Sequence, residues 1–206
     1  RQRPAPMQKL AKIVLSTLLT STVSVAAAAP VGYSINSDSG SNQADSLFRI
    51  DLATGNQTWV GPVSSFGEAR IDVEGLAFSA DGTLYGIDDQ AMTLFPLNPD
   101  NGMVQTVNEV PISGLPFGGK NDFGMTFACN GNLYVTSVTR SALYRLDMDG
   151  KTTLIGSEGA LGANISALAA YGDPVKLYGL GNGLDSDLNE DSPAIFEIDI
   201  STGIAT

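Results

Sequence analysis

Residues 75–102 read GLAFSADGTLYGIDDQAMTLFPLNPDNG. The apolar run from Gly75 to Phe78 leads into an Asp81-Gly82 turn, and the run from Leu84 to Asp88 into a short link. The run from Thr93 to Leu97 ends at Pro99-Asp100-Asn101-Gly102. Asp-Gly and Asn-Gly pairs suit tight hairpins, whose central residues need positive φ. The stretch therefore predicts three short strands and two turns.

The same text recurs on either side. An aromatic three residues before an Asp or Asn stands at Phe48/Asp51, Phe95/Asn98, Tyr144/Asp147 and Phe196/Asp199, at intervals of 47, 49 and 52 residues. A Tyr within a short apolar run stands at Tyr33, Tyr85, Tyr134 and Tyr178, spaced 52, 49 and 44. Gly55, Gly102, Gly150 and Gly203 follow the acidic or amide positions. A strand commonly takes ~5–6 residues, so each period has room for four. A four-stranded antiparallel unit of roughly 40–50 residues is the mark of a propeller blade.

The expected fold is therefore all-β, a β-propeller with about four blades over 31–206. From the channel outward, strand A falls at 76–78, 125–127 and 168–170. Strand B carries the Tyr, and strand C the aromatic-to-Asp mark. Strand D falls at 58–61, 104–109 and 152–156. Alternation along a strand sends every second side chain toward a neighbouring blade, so the strand C rings are expected to wedge between blades. Blade one starts at strand B, and Thr206 lies just past the strand C turn of blade four. The expectation is an incomplete ring, part of a longer propeller, with no strand D in blade four.

Residues 1–29 stand apart. Arg1 to Pro6 precede Met7 and read as upstream sequence. Lys9 and Lys12, the largely apolar 13–25 and the small residues Ala26 to Ala29 then follow the pattern of a secretory signal. The apolar part falls short of the ~20 residues a membrane span needs. The reading is export, to the periplasm or beyond the cell, with no stable membrane span in the mature part.

The chain has 11 basic and 22 acidic residues and no histidine. Four of the basic residues lie in 1–29, which leaves 7 against 22 in the remainder. Such a surface repels phosphate backbones and argues against nucleic acid as a partner. Without histidine, Ser-His-Asp catalysis and the commonest zinc sites are excluded within these 206 residues. The single cysteine, Cys129, allows no intrachain disulfide and reads as a small buried or half-buried filler.

Strand direction sorts the loops onto two rims. The A–B and C–D turns are short and rich in Asp-Gly and Asn-Gly. The B–C loops and blade-to-blade links are long and irregular, and binding residues favour loops carried on a rigid scaffold. On that long-loop rim, aligning Gly75 with Gly124 and Ala167 makes Asp72, Asn121 and Asn164 equivalent, with Glu74 and Asp122 beside them. This ring of oxygens at the channel mouth suits a divalent cation, calcium foremost, or a polar ligand. The same residues also serve as turn caps that bond backbone. A second candidate metal site is Asp185, Asp187, Asn189 and Asp191, spaced like the first half of a calcium loop. It departs from that pattern at Glu190, where the loop needs glycine, and the departure favours a solvated acidic loop over calcium.

EGLAFSADGTLYGID (74–88) and GMTFACNGNLYVTS (124–137) resemble blade text of bacterial extracytoplasmic propellers, the YVTN, NHL and gluconolactonase-like group. The gluconolactonase-like resemblance implies a divalent metal in the channel, with Glu74, Asn121 and Asp122 as the residues to compare. Three functional readings stay open. One is a non-catalytic exported module that binds an unidentified protein or small molecule on the long-loop face, with calcium as its implied ion. The others are a metal-dependent lactonase-like hydrolase and a structural surface or matrix component.

Overall fold

The computed structural model describes residues 30–36, 45–66, 68–70, 72–115, 121–182 and 193–206. Four antiparallel sheets follow one another along the chain. Blade one is β1 (Val31–Asn36), β2 (Ser46–Asp51) and β3 (Gln57–Pro62). A two-rung hairpin, β4 (Ser64–Ser65) and β5 (Glu68–Ala69), leads to blade two. That blade is β6 (Val73–Phe78), β7 (Leu84–Asp88), β8 (Thr93–Leu97) and β9 (Val110–Pro111). Blade three is β10 (Met125–Phe127), β11 (Leu133–Ser137), β12 (Ala142–Leu146) and β13 (Thr152–Ile155). Blade four is β14 (Ile165–Tyr171), β15 (Lys176–Gly181) and β16 (Ile195–Ile198).

The recurring aromatic-to-Asp-to-Gly mark has a local cause. At the end of strand C, the carboxylate of Asp51 accepts the N–H groups of Ala53 and Thr54, and that of Asp199 those of Ser201 and Thr202. Asn98 does the same for Asp100. The chain then reverses through a glycine with φ of 74° at Gly55, 73° at Gly102, 86° at Gly150 and 71° at Gly203. Left-handed backbone suits glycine, which has no Cβ to clash. The glycine has a second role where another blade precedes. A Cβ at Gly102 would lie 2.8 Å from the Pro62 carbonyl oxygen, and one at Gly150 would collide with that of Pro111. At Gly55, in blade one, nothing lies within 4 Å.

The rings occupy the gaps between blades as the periodicity requires. Phe95 is fully buried with Leu47 and Val63 of the preceding blade and its link. Tyr144 is buried among Ile87, Leu94 and Ile112 of blade two. Phe196 packs on the core that holds Tyr134 and Leu143 of blade three. Among the described residues no blade precedes Phe48, which stays half-exposed. Three cores thus lie between successive sheets, and each buried aromatic or large aliphatic stabilises its gap by roughly 1.5–3 kcal/mol.

Three expectations need correction. Residues 104–109 are not strand D of blade two. Val104 makes a single bridge to Leu97, while its N–H goes to the Ser64 carbonyl of the link. With that partner taken, the chain turns through a short 3-10 helix, Thr106–Asn108, and rejoins the sheet as β9 opposite Thr93 and Leu94. Blade four does start a fourth strand: Ala205 bridges Ile198, and Glu197 and Thr206 exchange two backbone bonds of 2.9 Å. Cys129 is exposed, because it lies in the turn at 129–131 while its neighbour Ala128 is the residue buried in the core. Among the described residues no helix is long and apolar enough to cross a membrane.

Candidate functional site

The long-loop rim is built where strand A begins and strand B ends. The carbonyl of Asp72 accepts the N–H of Asp89, that of Asp122 the N–H of Val138, and that of Asn164 the N–H of Asn182. The equivalent positions are therefore Asp72, Asp122 and Asn164, not Asp72, Asn121 and Asn164. The offset comes from bulges. Register slips by one residue between Val73 and Gly75 and again between Ile165 and Ala167, so Glu74 and Ser166 are extra residues in their strands. Blade three runs from Asp122 to Phe127 without such a slip. An alignment without gaps counts those residues and moves blade three by one. A bulge re-aims the side chain it inserts, and both Glu74 and Ser166 line the channel-side cleft.

The mouth gathers five carboxylates that influence one another: Asp45, Asp72, Glu74, Asp89 and Asp122. Burial pushes the Glu74 carboxyl up to about 8, and the charges of Asp122, Asp89, Asp72 and Asp45 push the same way. Burial likewise lifts Asp89 to about 6, with Asp72, Asp88 and Asp122 adding to it and the N–H of Asn121 opposing. Asp122 is raised by burial, against a hydrogen bond donated by Asn182. Asp45 is raised by burial too, though its carboxylate accepts the N–H of Val73 at 3.3 Å. Asp45 and Asp72 both hold left-handed backbone, at φ 51° and 61°. Asp tolerates that region better than most residues, at some cost.

Neighbouring Asp88 is treated differently. Arg70 reaches it at 3.5 Å, bonds Glu109 at 2.5 Å, and lies 5.5 Å above the Phe95 ring. Asp88 also accepts the N–H of Ala91. Asp89, one residue on, is 3% exposed, and its Oδ1 has no hydrogen-bond partner. A buried acceptor left unmatched costs about 1–3 kcal/mol.

Below the mouth the innermost strands enclose a cleft of about 240 Å³. Its walls include Tyr33, Leu76, Met125 and Leu168, with Glu74 and Ser166 the two residues delivered by bulges. Asn121 is nearly fully buried. Its side-chain oxygen accepts the Ser137 hydroxyl at 2.8 Å and the Thr139 N–H at 3.1 Å, which ties it to the B–C turn of its own blade. Asn164 is buried as well. Among the described residues no three of His, Cys, Asp and Glu are grouped to hold a metal ion. The mouth is an array of carboxylates that repel one another. Asp185, Asp187, Asn189 and Asp191 lie outside the described residues. Sequence reasoning passed over Asp45 and Asp89. The signal available was an acid at the end of a B–C segment and a second acid directly after strand B.

Comparison with solved structures places the fold. A catalytically inactive virginiamycin B lyase from Staphylococcus aureus, with quinupristin, matches with TM-score 0.50 and 20% identity, over 86% of this chain and 54% of that one. A structural-genomics protein of unknown function from Bacteroides thetaiotaomicron matches with TM-score 0.51 and 16% identity, over 78% and 41%. Regucalcin, a calcium-binding protein from Agrobacterium tumefaciens, aligns with TM-score 0.47 and 22% identity, over 77% and 53%. No protein-family model and no curated protein matches. The chain is a β-propeller repeat protein, and it spans about half the length of the structures it matches.

Proposed function

We propose that this chain is an exported, non-catalytic binding module whose long-loop face draws a positively charged ligand into the channel mouth. Export rests on the signal-like pattern of residues 7–29. The binding reading rests on one observation above all: the buried Asp89 oxygen without a partner, in the company of Asp72, Glu74 and Asp122. The one described cation nearby, Arg70, is engaged by Asp88 and Glu109. A cation entering the mouth would satisfy the orphan acceptor and relieve repulsion among the acids. Ligand binding to the folded form raises its melting temperature by linkage.

The test is thermal melting in sodium chloride, calcium chloride and 2-phenylethylamine hydrochloride at matched ionic strength. At least one of the last two is expected to raise Tm above the sodium value, and Asp89→Asn to remove most of that rise. If neither cation stabilises the wild type beyond sodium chloride, the reading fails.

A further inference from the structure

Each interblade gap is filled from the earlier blade by the same positions. One is the residue just before the strand C aromatic: Leu47, Leu94 and Leu143 are each at most 1% exposed. Another is the second residue after the strand B Tyr: Ile87 and Thr136 are fully buried, and Ile35 packs on the first core. The Tyr itself meets a ring of the next strand A, Tyr33 on Phe78 at 5.6 Å and Tyr85 on Phe127 at 5.7 Å. Blade four repeats the pattern with this face uncovered among the described residues. Ile195, the counterpart of the three leucines, is 75% exposed, and Leu180, the counterpart of Ile87, 47%. Ala167 pairs with Leu180 and Leu180 with Ile195, which puts all three on one side of the sheet. With Ala169 and Tyr178 they line a cleft of about 230 Å³.

Blade one leaves the opposite face open. Its strand C aromatic, the half-exposed Phe48, stands opposite Trp59 of β3, which is 50% exposed. Phe95, Tyr144 and Phe196 use the same position as Phe48 to receive the blade before them. The turn glycine that seats on the preceding blade at Gly102 and Gly150 has free space at Gly55. One end of the stack thus presents the giving half of the interblade contact, and the other end the receiving half. We infer that a second copy of this chain covers both: blade four of each copy packs on blade one of the other. The contact continues one that the fold already makes three times. Exposed apolar faces of this kind mark interaction surfaces. A head-to-tail contact either closes into a ring or runs on as an open filament. Two copies of these four sheets make eight blades, within the ~4–8 that propellers hold, so the pair closes on a two-fold axis and leaves neither face uncovered.

Sedimentation velocity of the chain over a wide range of concentration tests this. The wild type is expected to form dimers that dissociate on dilution, with no larger species. Ile195→Arg and Trp59→Arg each set a charge in the contact and should weaken the dimer at least about tenfold. Circular dichroism of both should stay that of the wild type, since both side chains are exposed. An equimolar mixture of the two variants should recover dimers, because it keeps one unaltered pair of faces. A dimer lost with Ile195→Arg and untouched by Trp59→Arg means that two blade-four faces meet, and overturns the inference. A dimer indifferent to both variants, or growth into longer chains of copies, overturns it too. A monomer at every concentration overturns it and leaves the face to a further blade of the same polypeptide. Should either variant fail to fold, hydrogen exchange of the wild type decides. Slower exchange in both β3 and β16 at the higher concentration supports the inference, and any other pattern overturns it.

Discussion

Glu74 shows how much one inserted residue can do. In a regular strand its neighbours would alternate faces; as a bulge it is carried to the cleft, next to four other acids. Its carboxyl, ordinarily at 4.5, is held near 8 in the fold. The sign follows from the direction. A carboxyl whose folded pKa is raised favours the folded state when protonated, so its contribution is fully present below about 4.5 and is lost as pH rises toward 8. Asp89 acts alike over the interval from 3.8 to about 6. Melting temperature is therefore expected to fall between pH 5 and pH 8 at constant ionic strength. The expected loss is on the order of 2 kcal/mol, since Glu74 is partly exposed and solvent screens it. Glu74→Gln should flatten the fall. A wild-type melting temperature that rises over this range would contradict the account of the mouth.

At the scale of the element, the C–D turn is the repeating part with the clearest dual role. It reverses the chain on a left-handed glycine and presses that glycine against strand D of the blade before. Gly55→Ala, with free space around it, should cost only the backbone penalty of about 1–2 kcal/mol. Gly150→Ala adds a collision with the Pro111 carbonyl and should cost roughly 1–3 kcal/mol more. Urea unfolding of the two variants compares them directly, and equal losses would deny the glycine its contact role. The strands, turns and interblade rings were legible because each is written in residues with a fixed local cause: Asp or Asn to close the turn, Gly to reverse it, one aromatic to fill the gap. Strand D of blade two was not, since the Gly102 carbonyl accepts the Ser64 N–H and the Val104 N–H goes to the Ser64 carbonyl, a partner outside the repeat. The bulges at Glu74 and Ser166 were invisible for a related reason. Periodicity counts residues, and an extra residue in one strand looks like a longer loop. That is why Asn121 was aligned with Asp72 when Asp122 is its equivalent. Asp89 was overlooked because an Asp-Asp pair after a strand reads as a solvated turn, whereas it is buried, with its N–H on the Asp72 carbonyl.

Across the whole molecule, three interblade cores hold the sheets, and the acids collect at the end of the channel where the long loops lie. The chain's formal charge of −11 is thus not spread at random, for five carboxylates share one mouth while Arg70 is turned to Asp88 and Glu109. The short-loop rim, by contrast, spends its Asp and Asn side chains on its own turns. The central claim is that the mouth takes a positive charge beside Asp89. Anomalous scattering from crystals soaked in caesium chloride locates such a charge directly. The account predicts a caesium peak among Asp72, Asp89 and Asp122, absent in Asp89→Asn. Caesium found only on the outer surface, with none at the mouth, would contradict it.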